Sequence, residues 1–214
     1  MHAHSLRGLP RPPDPRLGCC ALVAVKRRAE GKGRLAGVLA PDERVRLVRV
    51  MLRHVLDALA SAQTVRQIVV VRPERDEIPA HIPVLADRGE GVNVALAEAR
   101  AALLEFGARA LLVLPADLPR LSAAEIDRFV RAGRRGFVLA PDACGTGTNA
   151  LYLRGTASFD FHFGADSRRQ HLIEAQRRGY APHLHRSPGL CTDVDAPADL
   201  AALDPSTWPL TRHA

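Results

Sequence analysis

Residues 110–121 read ALLVLPADLPRL, and this stretch decides the fold. An apolar run this short, ended by a proline, reads as a buried strand rather than one face of a helix. Pro115 and Pro119 then bracket Asp117 in a turn. The same pattern recurs along the chain. CCALVAV (19–25), QIVVVR (67–72), IPVLAD (82–87) and FVLAPD (137–142) are further buried runs, and HLHR (183–186) reads as a short strand. Between them, residues 41–60 place Val45, Val48, Met51, Leu52, Val55, Leu56 and Leu59 at helical spacing. Pro41 suits the first turn of that helix, and Asp42 and Glu43 complement its positive end. A second helix is expected over 93–106, where Gly107 can stop it. Ser122 and Glu125 have capping-box spacing at the start of a third. Two more are expected, over about 166–179 and from about 196. Strands alternating with helices imply an α/β fold: a mostly parallel sheet with helices on both faces. Chemistry in such folds sits at the carboxyl ends of the strands. The loops that matter are therefore 26–34, 85–93, 115–120, 141–149 and 191–196.

The chain has 214 residues, 47% hydrophobic and 25% charged, the balance of one compact domain with a sizeable core. Only 4% are aromatic, so that core must be aliphatic. Residues 1–18 are polar and Pro-rich and read as a disordered tail, followed by a domain over 19–208 and a short C-terminal tail at 209–214. No apolar run approaches the roughly 20 residues of a membrane span. The first apolar run precedes the nearest basic cluster instead of following it, unlike a signal peptide. The expectation is a cytoplasmic protein without a membrane partner. The net charge of +7 raises the question of nucleic acid. Yet the arginines of DERVRLVRVMLRHVL (42–56) alternate with apolar positions and read as a solvated face, and the chain has few aromatic platforms for bases. No nucleic-acid partner is expected. Cys19, Cys20, Cys144 and Cys191 have no ligand spacing and read as small buried apolar residues.

Four clusters could carry chemistry. AVKRRAEGKGRL (24–35) gathers Lys26, Lys32 and Arg34 in a glycine-containing loop that can neutralise a triphosphate and a departing pyrophosphate. Those two lysines are the only ones among 30 basic residues, which singles out a loop that otherwise reads as merely solvated and basic. Asp117, immediately after a strand, suits a Mg²⁺ ligand or a simple turn residue. In CTDVDAPADL (191–200), Asp193 and Asp195 would share one face of a strand, and one could complete a metal site with Asp117. In CGTGTNAL with FHFGADSRRQH, glycines allow close approach to a ligand, Thr146, Thr148 and Ser167 supply donors, and Ser167 opens a helix whose start favours anions. Asp166 and Ser167 read equally as caps. His162 and His171 lack ligand spacing and read as structural or surface residues.

Taken in order, AVKRRAEGKGRLAGVLAPDER, LPADLPRL, GTGTNAL, FGADSRRQH and GLCTDVDAPADL resemble the phospholactate guanylyltransferase family of coenzyme F-420 biosynthesis, from about residue 20 to 203. The resemblance implies a single Rossmann-like nucleotidyltransferase domain. It also implies transfer of GMP from GTP to the phosphate of a small phosphorylated carboxylic acid: phosphoenolpyruvate, 3-phospho-D-glycerate or 2-phospho-L-lactate. By the same resemblance Asp117 and Asp193 match metal aspartates for Mg²⁺, with Asp195 as a further partner. Thr148, Gly164 and Ser167 match positions that hold the acid. Lys26, Lys32 and Arg34 match the triphosphate side, and Asn93, with Asp87 and Gly91 in the same segment, the nucleotide side. Gly33 stands where the family often has Ser, and Thr192 interrupts what is often a direct Cys-Asp. Two other readings stay open: a molybdopterin guanylyl- or cytidylyltransferase of the same fold, whose glycine-rich opening is missing here, and a nucleotide- or RNA-binding module without turnover. A homodimer is compatible with either enzyme.

Overall fold

The computed structural model describes residues 19–25, 32–72, 78–155 and 158–203. Lys26 and both expected tails lie outside these residues. The core is a six-stranded sheet of β1 (Cys19–Ala24), β2 (Val65–Arg72), β3 (Val84–Ala86), β4 (Ala110–Pro115), β5 (Phe137–Pro141) and β6 (Thr148–Arg154), in the order β3-β2-β1-β4-β6-β5. β1 to β4 are mutually parallel, while β6 runs antiparallel to both of its neighbours. The reversal has a local cause. The glycine turn of residues 142–147 is too short for a crossover, so it can only fold back as a hairpin. That turn consequently opens at the same edge as the carboxyl ends of the parallel strands.

Helix α1 (Pro41–Ser61) starts where expected: Pro41 is the first helical residue, and Glu43 accepts from the Ala40 N–H at 2.8 Å. α2 (Val92–Glu105) follows Gly91, and Gly107 closes it at φ +104°, a conformation that favours glycine. α3 (Ala123–Ala132) has the expected reciprocal Ser122–Glu125 cap. α4 (Ser167–Arg177), α5 (Pro188–Cys191) and α6 (Pro197–Ala201) complete the chain. One face of the sheet packs on α1 and α3 through Leu52, Val55, Leu59, Ile126 and Phe129. The other packs on α2 and α4 through Leu96, Leu103, Phe159, Phe161 and Ala175.

Two expected elements differ. HLHR makes only an isolated bridge, Leu184 to Leu139, because Pro182 and Pro188 flank it and cannot donate to a ladder. CTDVD is not a strand either. Pro188 starts the short helix α5 that the sequence reading lacked, and residues 192–195 run irregularly. Asp193 and Asp195 therefore do not share a strand face. Cys19 and Cys20 are buried as expected, but Cys144 sits exposed on the glycine turn. Among the described residues, no helix is long and apolar enough to cross a membrane.

A small third cluster decides where the loops meet. Leu35, Leu47, Met51, Val194 and Leu203 pack together. Leu35 belongs to the basic loop and Val194 sits between the two late aspartates, so burying both against α1 brings Lys32 and Asp195 to one place. The Val194 N–H also donates to the Asp117 carbonyl at 3.3 Å, which ties the turn after β4 into the same point.

Candidate active site

Ala24 pairs with Val71 on one side and Pro115 on the other, so β1, β2 and β4 end level. Above that edge lies a cavity of about 990 Å³. At its centre the Lys32 ammonium bridges two carboxylates, Asp117 Oδ2 at 2.5 Å and Asp195 Oδ1 at 2.8 Å. The Lys32 side chain is 7% exposed, so the sequence picture of an exposed basic loop is corrected for this residue. Burial alone would lower its pKa, but Asp117 and Asp195 outweigh burial and hold it above the ordinary lysine value. Arg34 lines the cavity and remains exposed.

Asp193 stands beside this group without touching Lys32. Its Oδ1 accepts from Asn149 Nδ2 at 3.2 Å. Burial and the nearby Asp117 and Asp195 charges raise its pKa, against the Asn149 hydrogen bond. Asn149, 4% exposed at the start of β6, is a site residue the sequence reading missed. Its signal was available: a polar side chain inside the apolar run NALYLR.

On the far wall lie the glycine turn and the start of α4. Gly147 is a steric requirement, since a Cβ there would meet Asp142 Oδ2 at 2.7 Å, and Asp142 is committed to the Thr146 N–H at 2.9 Å. The Arg168 N–H donates to the Thr146 carbonyl at 3.1 Å, joining the turn to α4. Thr148, Gly164 and Ser167 all line the cavity. Thr148 Oγ1 lies 3.0 Å from Nδ1 of the fully buried His171, whose Nε2 accepts from the His162 N–H at 2.9 Å. Burial, reinforced by His162, pushes the His171 pKa down to about 3. The two non-glycine residues with positive φ among the described residues, Lys32 (60°) and Asp166 (55°), both line this cavity.

Asp87 and Gly91 also line the cavity, as do Arg72, Arg44 and Arg49. Arg44 and Arg49 belong to the stretch read as a solvated face; Arg46, Arg49 and Arg53 are exposed as that reading expects, Arg44 is half-buried, and Arg44 and Arg49 also line the cavity. Asn93 departs from its expected place. It is not among the lining residues, because its amide grips the Phe163 backbone from both sides, donating to the carbonyl at 3.0 Å and accepting from the N–H at 2.7 Å. Its amide is thereby committed to the Phe163 backbone.

A family model described as guanylyl transferase, CofC like, matches residues 19–203. The chain belongs to this family. It is 42% identical over 189 residues to a phosphoenolpyruvate guanylyltransferase of Sphaerobacter thermophilus, covering 86% of this chain and 91% of that one. It is 39% identical to the enzyme of the same name from Rubrobacter xylanophilus, covering 87% and 93%. Among solved structures the fold is similar to 4-diphosphocytidyl-2C-methyl-D-erythritol synthase, with TM-score 0.59, 16% identity and 86% and 96% coverage. It is also similar to CMP:2-keto-3-deoxy-manno-octonic acid synthetase, with TM-score 0.54, 12% identity and 85% and 95% coverage. The CofC-like chain is thus a nucleotidyltransferase of the guanylyl-transferring kind, on the single-domain fold expected.

Proposed function

We propose that this guanylyltransferase moves GMP from GTP to the phosphate of a three-carbon phosphorylated acid, with phosphoenolpyruvate first among the candidates, in coenzyme F-420 biosynthesis. An oxygen of the acid's phosphate attacks the α-phosphorus of GTP, the bond to the β-phosphate breaks, and pyrophosphate leaves. No general base is needed, because the attacking oxygen is already ionised at neutral pH. That suits a site whose buried histidine, behind Thr148, is held neutral. The observation that carries the reading is convergence in one cavity: cations at Lys32, Arg34, Arg44 and Arg49, carboxylates at Asp117, Asp193 and Asp195, and donors at Thr148 and Ser167.

Asp117 and Asp195 would hold Mg²⁺, with Asp193 alongside. The donor set fits: two hard carboxylate oxygens already share one cation, the Lys32 ammonium. Among the described residues no three His, Cys, Asp or Glu side chains could hold a metal unaided. Mg²⁺ is ordinarily held by one or two carboxylates completed by substrate phosphates and water, so a pair suffices. When bound, the ion neutralises charge on the nucleotide phosphates. Arg34, Arg44 and Arg49 would bind the triphosphate tail and steady the leaving pyrophosphate. Thr148 and Ser167 would orient the acid at the start of α4. These substrates are charged and do not cross bilayers unaided, so we place the reaction in the cytoplasm.

Pyrophosphate release from GTP and Mg²⁺, offered phosphoenolpyruvate, 3-phospho-D-glycerate or 2-phospho-L-lactate, is the test. Turnover of phosphoenolpyruvate is expected. Exclusive use of another acid overturns that choice, and no product from any of the three overturns the acceptor class.

A further inference from the structure

We infer that His171 is a positioning residue that fixes the Thr148 hydroxyl as a hydrogen-bond donor aimed at the acid's anionic group. The inference rests on the reading that the acid lies against Thr148. Its carrying observation is the order of donors and acceptors through a buried chain. A backbone N–H can only donate, so the 2.9 Å contact from the His162 N–H makes His171 Nε2 the acceptor nitrogen. In a neutral ring the proton must then sit on Nδ1, which donates to Thr148 Oγ1 across 3.0 Å. That contact occupies a lone pair of the hydroxyl and leaves its proton for another acceptor. No further protein partner of the Thr148 hydroxyl appears among the described residues, and Thr148 lines the cavity.

The ring has little freedom to do otherwise. His171 is 0% exposed and packs against Phe163, with centroids 4.8 Å apart, and against Phe159 at 6.1 Å. Both phenyl rings are hydrocarbon and offer no competing hydrogen-bond partner; the third ring nearby is His162, with centroids 5.9 Å apart, and its backbone N–H already supplies the contact to Nε2. Asn93 clamps Phe163 from the other side and so supports the packing that fixes the imidazole. The directional chain His162 N–H to His171 to Thr148 O–H thus presents a donor to an anion. The other tautomer would turn the Thr148 proton inward and show a lone pair to the same anion. An acid site needs the first arrangement.

The tautomer is read directly by ring ¹⁵N NMR on the substrate-free enzyme, with the His171 signal assigned by its loss in His171→Asn. A protonated Nδ1 and a bare Nε2 are expected; a protonated Nε2 overturns the inference. Kinetics supply the functional half. An Asn amide hangs from Cγ as Nδ1 does and can still donate to Thr148, whereas a Gln amide reaches one bond farther, toward the Nε2 position. His171→Asn should hold the KM for the acid within about threefold, and His171→Gln should raise it by about 10- to 100-fold while the KM for GTP stays put, the scale of a lost hydrogen bond to a charged group. In a Thr148→Val background the difference between the two should vanish. Equal changes in both variants, or equal changes in both KM values, would reduce His171 to packing and overturn the inference. If His171→Gln fails to fold, the wild-type tautomer decides. If wild type turns over none of the acids, the proposed acceptor falls, while the tautomer measurement still reports on His171.

Discussion

Lys32 is the residue on which the site's charge balance turns. Its ammonium bridges Asp117 and Asp195 from a left-handed backbone position that lysine adopts only under constraint. In Lys32→Ala the two carboxylates lose the ammonium they share, which makes room between them for a divalent ion. Mg²⁺ without nucleotide should therefore raise the melting temperature of Lys32→Ala more than that of wild type, because ligand binding to the folded state alone stabilises it. Turnover should fall all the same, since the loop loses a charge on the triphosphate side. Equal Mg²⁺ shifts in the two proteins would show that Lys32 and the ion do not compete. Asp117→Asn should keep the fold and lower pyrophosphate release by about two orders of magnitude or more, the scale on which single electrostatic contacts to developing charge operate. Near-normal release by a soluble Asp117→Asn would remove Asp117 from the metal site.

At the level of elements, Glu125 connects two helix starts. It caps α3 through the Ser122 hydroxyl at 2.7 Å and accepts from the Gly189 N–H at 2.7 Å, so α5 is hung on α3. Burial would raise its pKa, but the hydrogen bonds from Ser122 and Gly189 outweigh it and hold the carboxylate below the ordinary range. Glu125→Ala strands the Gly189 N–H and the Ser122 end together, and should cost about 2–4 kcal/mol in urea unfolding. A loss under 1 kcal/mol would mean that α5 is held by something else. The Ser122–Glu125 half of this arrangement was legible in the sequence because it is local, three residues apart. The Gly189 half was not, since 64 positions separate the partners. The same division runs through the site. Strands and helices with their own periodicity could be read directly, as could Asp117 at a strand end. What escaped was set by tertiary packing: Leu35 with Val194, which makes Asp195 rather than Asp193 the partner of Lys32, and the grip of Asn93 on Phe163.

Across the whole molecule, the response to acid should be led by buried neutral histidine before any carboxylate is lost. His171 has its pKa pushed from 6.5 down to about 3 by burial and the nearby His162, and His185 is lowered in the same direction by burial first, then by His183 and Arg128. A base whose folded pKa is depressed binds fewer protons folded than unfolded between those two values. Stability is therefore full above about pH 6.5 and falls as pH drops toward 3, by at most ~1.4 kcal/mol per pH unit for one such group. The carboxylates act later: Glu125, Asp127 and Glu174 have lowered pKa values, so their contribution is lost only below the ordinary carboxylate range. Asp193 is raised and has the opposite sign, favouring the folded state as it protonates above its unfolded value of 3.8. Lys32 is raised and matters only in strong alkali. Between pH 6.5 and 5 the histidines are left to set the slope. Urea unfolding of wild type at pH 7.5, 6 and 5 should show stability declining across that window, and His171→Asn, which cannot take up a proton, should flatten the decline. A wild-type stability that is level from pH 7.5 to 5, or a decline unchanged in His171→Asn, would mean that this ring is not the group that acid attacks first.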